Sequence, residues 1–288
     1  MVDVSVCIVN WNTREHLREC LRSLQEHVAG VDLDVVVVDN ASADGSADMV
    51  REEHPWVKLL AQDENTGYAA GNNLALREAG GRYKLLLNAD IVVQPGSVEY
   101  LVDFLDRHER AGAVAPRLRH KDGSIQRTCR SFPDPDVVLY EATGLSRLFA
   151  GSKRFGKYRM SWWDYGDERM VDQPMASALM LRDEALAEVG LFDEGFRIFF
   201  NDVDLCRRLW DEGWEVWFTP EVEMIHEGGA STGQVWGKMI VESHRSMMNY
   251  YRKHYRGKVF GPAYGLAMAA LGAGMYVRLI GHALRGRR

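Results

Sequence analysis

Val4-Ser5-Val6-Cys7-Ile8-Val9-Asn10-Trp11-Asn12, residues 4–12, is an apolar, β-rich run that stops abruptly on amide side chains. A second run, Val35-Val36-Val37-Val38, stops on Asp39-Asn40 in the same way. Short, continuously apolar runs are the mark of strands buried on both faces, as in parallel sheets. Val57 to Leu60 and Tyr83 to Leu87 share that character, and Glu15 to His27, Ser46 to His54 and Tyr68 to Ala79 carry helical spacing between the runs. Strand–helix–strand repeats of this length predict right-handed βαβ units, hence an α/β fold with a mostly parallel central sheet flanked by helices. Ligands of such sheets gather at the carboxyl ends of the strands. The unusual polar residues fall there: Asn10-Trp11-Asn12, Asp39-Asn40, Asn65-Thr66-Gly67 and Asn88-Ala89-Asp90.

Downstream the pattern changes. Ser97 to Arg110 is helical, and Val114 to Arg119 and Ser124 to Cys129 read as a hairpin around Lys121-Asp122-Gly123. Ala150 to Asp172, rich in Gly, charge and aromatics, reads as a long loop. Met175 to Leu181 is a strand, Asp202 to Trp210 a helix opened by Asn201 or Asp202, and Val222 to Ile225 another strand. Gln234 to Tyr255 is helical, and Val259 to Val277 carries no charge.

The 288 residues suffice for one large α/β unit with a sizeable core. A net charge of −6 conceals an asymmetry, because residues 243–288 hold nine Lys and Arg and no acid, leaving −15 on the rest. An acidic body with a basic tail argues against nucleic acid as a partner and for an anionic surface. Cys7, Cys20, Cys129 and Cys206 are scattered and read as reduced, structural thiols. The chain opens directly on a strand-like run with no secretory leader pattern, so a cytoplasmic body is expected.

No GxGxxG follows the first strand, and there is no Walker A loop or GxSxG elbow. Four segments are left to carry chemistry. Asp39 ends a valine strand, and its carboxylate needs donors, which a nucleobase or ribose could supply; the neighbouring Asp44 and Ser46 read as helix caps. Asn88 and Asp90 alternate on an extended segment and so face one side, where they either form a plain turn or converge on a hard cation. In Phe199-Phe200-Asn201-Asp202-Val203-Asp204, two acids open a helix directly behind two aromatics, a place for caps or for a base with a raised pKa. His226-Glu227-Gly228-Gly229 follows a strand, with His226 either structural or a metal ligand.

Taken together these segments resemble the family-2 glycosyltransferases of GT-A fold, most nearly the rhamnosyltransferase-like branch. The residues that carry the likeness are Val6 to Asn12, Val38 to Ser46, Asn65 to Asn73, Leu87 to Asp90, Gly190 to Glu194 leading to Phe199 to Asp204, and His226 to Ser231, in the family's order. The resemblance implies an inverting enzyme that uses a nucleoside diphosphate sugar, foremost dTDP-L-rhamnose and next a UDP-hexose. Its acceptor would be a glycan or lipid-linked glycan of surface polysaccharide synthesis, and its cofactor Mg2+ or Mn2+. By the same likeness Asp202 is the catalytic base and Asp90 and His226 hold the metal. Asn10, Asn12, Asp39, Asn65, Gly67, Asn72, Asn88 and Ala89 contact the sugar nucleotide. Two departures stand out: Asn88 replaces the first acid of the DxD motif, and Asn201 stands where a Glu often precedes the base. Residues 1–95 would bind the nucleotide sugar and 96–232 the acceptor. Residues 233–288 would form C-terminal helices. The basic flanks of the uncharged Val259 to Val277 stretch suggest that 252–288 make peripheral contact with the inner face of the cell membrane, with a membrane span or a helix packed on the body as alternatives. Trp162 and Trp163 are candidate sugar platforms, with loop packing the alternative. A sugar nucleotidyltransferase would want a Gly-rich basic loop after its first strand, which Asn10-Trp11-Asn12-Thr13 is not; a non-catalytic sugar-nucleotide or membrane-binding module is the other alternative.

Overall fold

A computed structural model describes residues 2–228 and 236–285. Its first half runs β1 (Val4–Asn10), α1 (Arg14–His27), β2 (Leu33–Asp39), α2 (Ser46–Glu53), β3 (Lys58–Ala61), α3 (Tyr68–Glu78), β4 (Tyr83–Asn88). Then come β5 (Ile91–Val93), α4 (Ser97–Arg107), β6 (Ala111–Arg119), β7 (Ile125–Gln126), β8 (Cys129–Arg130), α5 (Pro135–Thr143), α6 (Leu145–Leu148) and β9 (Arg169–Met170). The rest comprises β10 (Gln173–Pro174), β11 (Ala178–Arg182), α7 (Asp183–Val189), α8 (Asn201–Asp211), β12 (Glu215–His226), α9 (Trp236–His254) and α10 (Gly261–Arg285).

The main sheet follows the order β3-β2-β1-β4-β11-β6-β12-β5. The first four strands are parallel, and β11 then runs antiparallel to both β4 and β6. Strands β1, β2 and β4 are largely buried, as their apolar runs suggest, whereas β3 lies at the sheet edge with Lys58 and Ala61 exposed, not buried on both faces. Helix α1 explains how one face is sealed: Leu17, Cys20, Leu21 and Leu24 recur at helical spacing and are buried against the sheet. The sheet continues across residue 95, because β5 pairs with β12 at the far edge.

Parallel register lines up the polar strand ends. Asn10 sits opposite Asp39, and Val9 opposite Asn88, so the termini of β1, β2 and β4 form one row. At the other side, antiparallel pairing puts His226 opposite Ile91, next to Asp90. Strand β12 is longer than the Val222 to Ile225 run because it survives Pro220: the register with β6 shifts between Thr219 and Glu223, and a bulge is where a residue without an N–H is tolerated.

Residues 150–172 are mostly turns, with the short strand β9 near their end. Trp163 is a core residue, 3% exposed, with its ring stacked on Tyr165 at 4.1 Å and its indole N–H donated to Asp167. That burial removes it as a sugar platform. All four cysteines are buried free thiols, and desolvation pushes Cys7 up to about 12. Residues Gly229, Ala230 and Ser231 of the His226 motif lie outside the described residues, as do Gln234 and the side chains of Arg285, Arg287 and Arg288.

Candidate active site

The first strand ends build a buried polar floor. Asn10 donates its amide to Asp39 Oδ1 (2.7 Å) and to Ser42 Oγ (3.1 Å), and Asp39 also accepts from the Ser42 hydroxyl (2.6 Å) and backbone N–H (3.0 Å). The donors that Asp39 needs are thus partly supplied by the protein itself. Asn10 and Asp39 are 0% and 3% exposed, so both act from beneath the cleft. Asn12 takes a left-handed φ of 52° and accepts the Ala43 N–H at 2.8 Å, tying the β1 turn to the β2 turn. Asp44 accepts the Arg14 and Ser46 N–H groups and so fixes the entrance of α2 and α1 together.

The third turn is equally committed. Asn65 accepts the Gly67 N–H, and Asn40 donates to the Gly67 carbonyl. Gly67 has φ +95°, and a Cβ there would lie 2.5 Å from Arg197 Cγ, so glycine is required by both backbone and packing. Asn72, 1% exposed, gives its amide to the Tyr68 carbonyl and holds the first turn of α3.

Above this floor opens a cleft of about 100 Å³ lined by Val9, Thr13, Tyr68, Asn88, Ala89 and Asp90. His226 Nε2 lies 3.2 Å from Asp90 Oδ1, and His226 Nδ1 is 2.6 Å from Gln126 Oε1. Because an amide oxygen only accepts, Nδ1 must carry the proton, which leaves Nε2 of a neutral ring with its lone pair toward a carboxylate. Nε2 is buried and makes no hydrogen bond of acceptable geometry. Two acceptors facing each other in a buried place need a proton or a cation between them. Burial alone would raise the Asp90 pKa; with a proton on His226 Nε2, the contact and charge of that ring outweigh burial and hold the carboxyl below its ordinary range.

Among the described residues no third His, Cys, Asp or Glu joins this pair. Glu227, the nearest acid in sequence, is engaged by His16 at 2.9 Å and by Lys121. A two-ligand set suits a hard divalent cation that shares its remaining positions with water and phosphate oxygens. The donor set of Asp90 and His226 therefore fits the metal that the sequence implies.

Asp202 is not among the residues that line this cleft; it approaches from α8, on the far side of Ala176 and Tyr68. It opens α8 behind Phe200, whose φ of 67° is a left-handed conformation unusual for a bulky residue and marks local strain at the turn. Its oxygens accept the Val203 N–H (2.9 Å) and, at longer range, the Ala176 N–H (3.4 Å). Part of the side chain stays open, yet protein surrounds it, and desolvation raises its pKa despite those backbone donors. The Ala176 carbonyl accepts the Tyr68 hydroxyl at 2.9 Å, so Ala176 and Tyr68 link Asp202 to the cleft. Burial, then the charge on Asp202 and more weakly that on Asp90, push the Tyr68 phenol up.

The neighbours of Asp202 have other work. Asn201, 2% exposed, donates to the Ile198 carbonyl at 2.8 Å and accepts the Asp202 N–H, bracing the strained turn from within. Asp204 is fully buried and accepts from His254 (2.7 Å), Lys253 (2.8 Å) and Arg208 (2.9 Å), clamping α9 onto α8. Gln126, Tyr68 and Ala176 escaped sequence reading. Only Tyr68, beside the Asn65-Thr66-Gly67 turn, carried a local signal.

Solved structures share this fold. The mannosyltransferase PcManGT from Pyrobaculum calidifontis, in complex with GDP-Man and Mn2+, aligns over 99% of this chain and 80% of its own with a TM-score of 0.61 at 18% identity. TarS from S. aureus aligns over 84% of this chain and 39% of its own, with a TM-score of 0.56 at 17% identity. The architecture is that of a GT-A glycosyltransferase. Residues 5–167 match the model for glycosyl transferase family 2, and the chain belongs to that family, an inverting one. The N-acetylglucosaminyl-diphospho-decaprenol L-rhamnosyltransferase of Mycobacterium tuberculosis is 29% identical over 269 residues, covering 89% of this chain and 87% of that protein. The low-salt glycan biosynthesis hexosyltransferase Agl10 of Haloferax volcanii is 22% identical, covering 78% and 67%.

Proposed function

We propose that this glycosyltransferase moves a hexose, foremost L-rhamnose from dTDP-L-rhamnose, onto a lipid-linked glycan acceptor in cell-surface polysaccharide synthesis, and that it requires Mg2+ or Mn2+. The observation that carries the metal dependence is the buried His226 Nε2 facing Asp90 Oδ1 at 3.2 Å, with Nδ1 already committed to Gln126. The likeness to an N-acetylglucosaminyl-diphospho-decaprenol L-rhamnosyltransferase supports L-rhamnose as the sugar and a lipid-linked acceptor, and the likeness to the hexosyltransferase Agl10 supports transfer of a hexose.

In this reading Asp90 and His226 would hold the cation, with Asn88 nearby on the same strand end. When bound, the cation supplies neutralisation of the charge that grows on the leaving diphosphate. Asn88 in place of an acid leaves that site one negative charge poorer. Asp39 and Asn10 would support the nucleoside end from beneath and Asn12 would flank it, with Asn65, Gly67 and Asn72 shaping the neighbouring turn and Ala89 lining the cleft. Asp202 takes the proton from the acceptor hydroxyl as that oxygen attacks the anomeric carbon from the face opposite the diphosphate. One displacement inverts the centre, and no covalent nucleophile is needed.

Peripheral contact with the inner face of the cell membrane through residues 252–288 would bring a lipid-linked acceptor within reach. Exposed Phe260, Leu266, Tyr276 and Val277 support it, and among the described residues no helix is long and apolar enough to cross a membrane. The test is nucleotide release from a panel of dTDP-, UDP- and GDP-sugars, with and without MnCl2 or MgCl2. Turnover of dTDP-L-rhamnose that stops with EDTA is expected; equal turnover in EDTA would overturn the metal role.

A further inference from the structure

Positive charge in this chain is concentrated in two segments far apart in sequence. Residues 139–160 hold five Lys and Arg against one acid, and residues 243–288 hold nine against none. The remaining residues carry 21 basic and 40 acidic side chains. The one acid of the first segment, Glu141, is itself taken up by Arg159 at 2.9 Å.

The fold brings the two segments together. Helix α10 packs on both α9 and α5, and α5 turns directly into α6. The end of α9 is fastened to the start of α5: Tyr251 donates its hydroxyl to the Pro133 carbonyl and Tyr255 donates to Asp134 Oδ1, each at 2.6 Å. Helix α10 buries one stripe, Ala267 and Leu271 with Tyr264 and Met268 beside them. Its opposite stripe, Leu266, Ala269, Ala273, Tyr276 and Val277, is exposed and wholly without charge apart from the tyrosine hydroxyl's polarity. Around α6, Leu139, Leu148 and Phe149 are 50%, 74% and 47% exposed. Exposed Arg147, Lys153 and Arg154 stand beside them, and among the described residues no carboxylate forms an ion pair with any of the three.

We propose that the turn-rich elbow at residues 139–154 is a second membrane-docking element, which together with α10 seats the enzyme on an anionic lipid surface. Exposed apolar side chains interleaved with cations that no carboxylate neutralises among the described residues match an interface of acyl chains below anionic headgroups, and match water poorly. Two contacts fix orientation as well as attachment, where a single helix leaves the body free to pivot. The same mount reaches the catalytic wall, because the end of α9 is clamped to α8 by Asp204. This proposal rests on the membrane reading above and extends it to a segment outside the tail.

The experiment is flotation with vesicles of phosphatidylcholine containing about one-third phosphatidylglycerol, at low salt, using the full chain. An elbow variant carries Leu148→Glu and Phe149→Glu, and a tail variant carries Leu266→Glu and Val277→Glu; a third replaces Arg147, Lys153 and Arg154 with Gln. All these side chains are exposed, so thermal midpoint and nucleotide binding should match the parent. Each variant should partition at least about tenfold more weakly than the parent, since each basic residue near such a surface is worth about fivefold. Loss in the tail variant with parental binding by both elbow variants would overturn the elbow while leaving the tail reading intact. Failure of the parent chain itself to float would sink both. A salt-independent dimer that the same substitutions dissociate, with no vesicle binding, would assign the patch to a second copy and overturn the proposal.

Discussion

Asp202 and Asp204 lie two positions apart on the first turn of α8, and their environments predict opposite consequences for the same chemical change. Asp204 is 0% exposed and serves three cationic or imidazole partners, whose side chains are 19%, 34% and 7% exposed for Arg208, Lys253 and His254. Removing one member of a buried pair costs about 3–5 kcal/mol, and the partly open Lys253 argues for the lower end. For a protein of this size, about 3 kcal/mol is a fall in Tm of about 6–12 °C. Asp204→Ala should therefore lower the thermal midpoint by that amount while the folded fraction still turns over donor. The effect should depend on pH. Burial raises the Asp204 carboxyl, but His254, Lys253 and Arg208 outweigh it and hold it below its ordinary 3.8. Its stabilisation is then fully present above that value and fades as pH falls through the lower, folded value. Asp202 has the reverse sign: burial raises its pKa, so its ionised form weakens the fold above the ordinary value. Asp202→Asn keeps an oxygen for the Val203 N–H and removes that charge, so its Tm should stay level or rise. Turnover should fall by at least about 10²-fold, as for loss of a general base. Differential scanning fluorimetry and a nucleotide-release assay on the two variants decide the matter. A large drop in Tm for Asp202→Asn, or near-parental turnover, would refute the division of labour.

The remaining expectations are smaller. Turnover should fall at acid pH along a limb whose midpoint lies above the ordinary Asp value of 3.8, because burial raises the Asp202 pKa and only the ionised base works; a midpoint at or below 3.8 would count against Asp202. Gln126→Leu should weaken Mn2+-dependent donor binding about 10–100-fold by freeing the His226 tautomer, measured by calorimetry with and without the ion; unchanged affinity would make Gln126 a bystander. Gly67→Ala should destabilise the chain by more than about 1 kcal/mol in urea unfolding, since its Cβ meets Arg197 and its φ is left-handed; a neutral outcome would show that the 65–67 turn can relax.

The polar strand ends were readable because each sits where a continuous apolar run stops, and parallel register then aligns them without further information. Asp39 shows the limit of that reading. A buried carboxylate must find donors, but the sequence does not say whether Asn10 and Ser42 or a ligand provides them. The approach of His226 to Asp90 depends on β5, a three-residue strand, and on β12 persisting through a bulge at Pro220, and no local pattern encodes either. Gln126 is likewise invisible, since its role arises from a two-residue strand at the end of a hairpin. Helices α5 and α6 lack the apolar periodicity of α1 because their open side carries leucines too, Leu139 and Leu148, and the basic elbow they form emerges only once α10 packs beside them. The acids of α8 looked alike in sequence. Only the fold separates Asp202, facing the Tyr68 wall, from Asp204, turned toward α9.

Everything in the proposed reaction turns on whether Asp90 and His226 hold one divalent cation together with the donor diphosphate. The most direct measurement is a crystal structure of the protein with Mn2+ and a nucleoside diphosphate, with anomalous data collected at the manganese edge. The account predicts a single anomalous peak within about 2.0–2.6 Å of both an Asp90 carboxylate oxygen and His226 Nε2, with diphosphate oxygens completing the shell. A peak that touches neither residue, or a diphosphate seated in the cleft with His226 still turned only to Asp90, would contradict it.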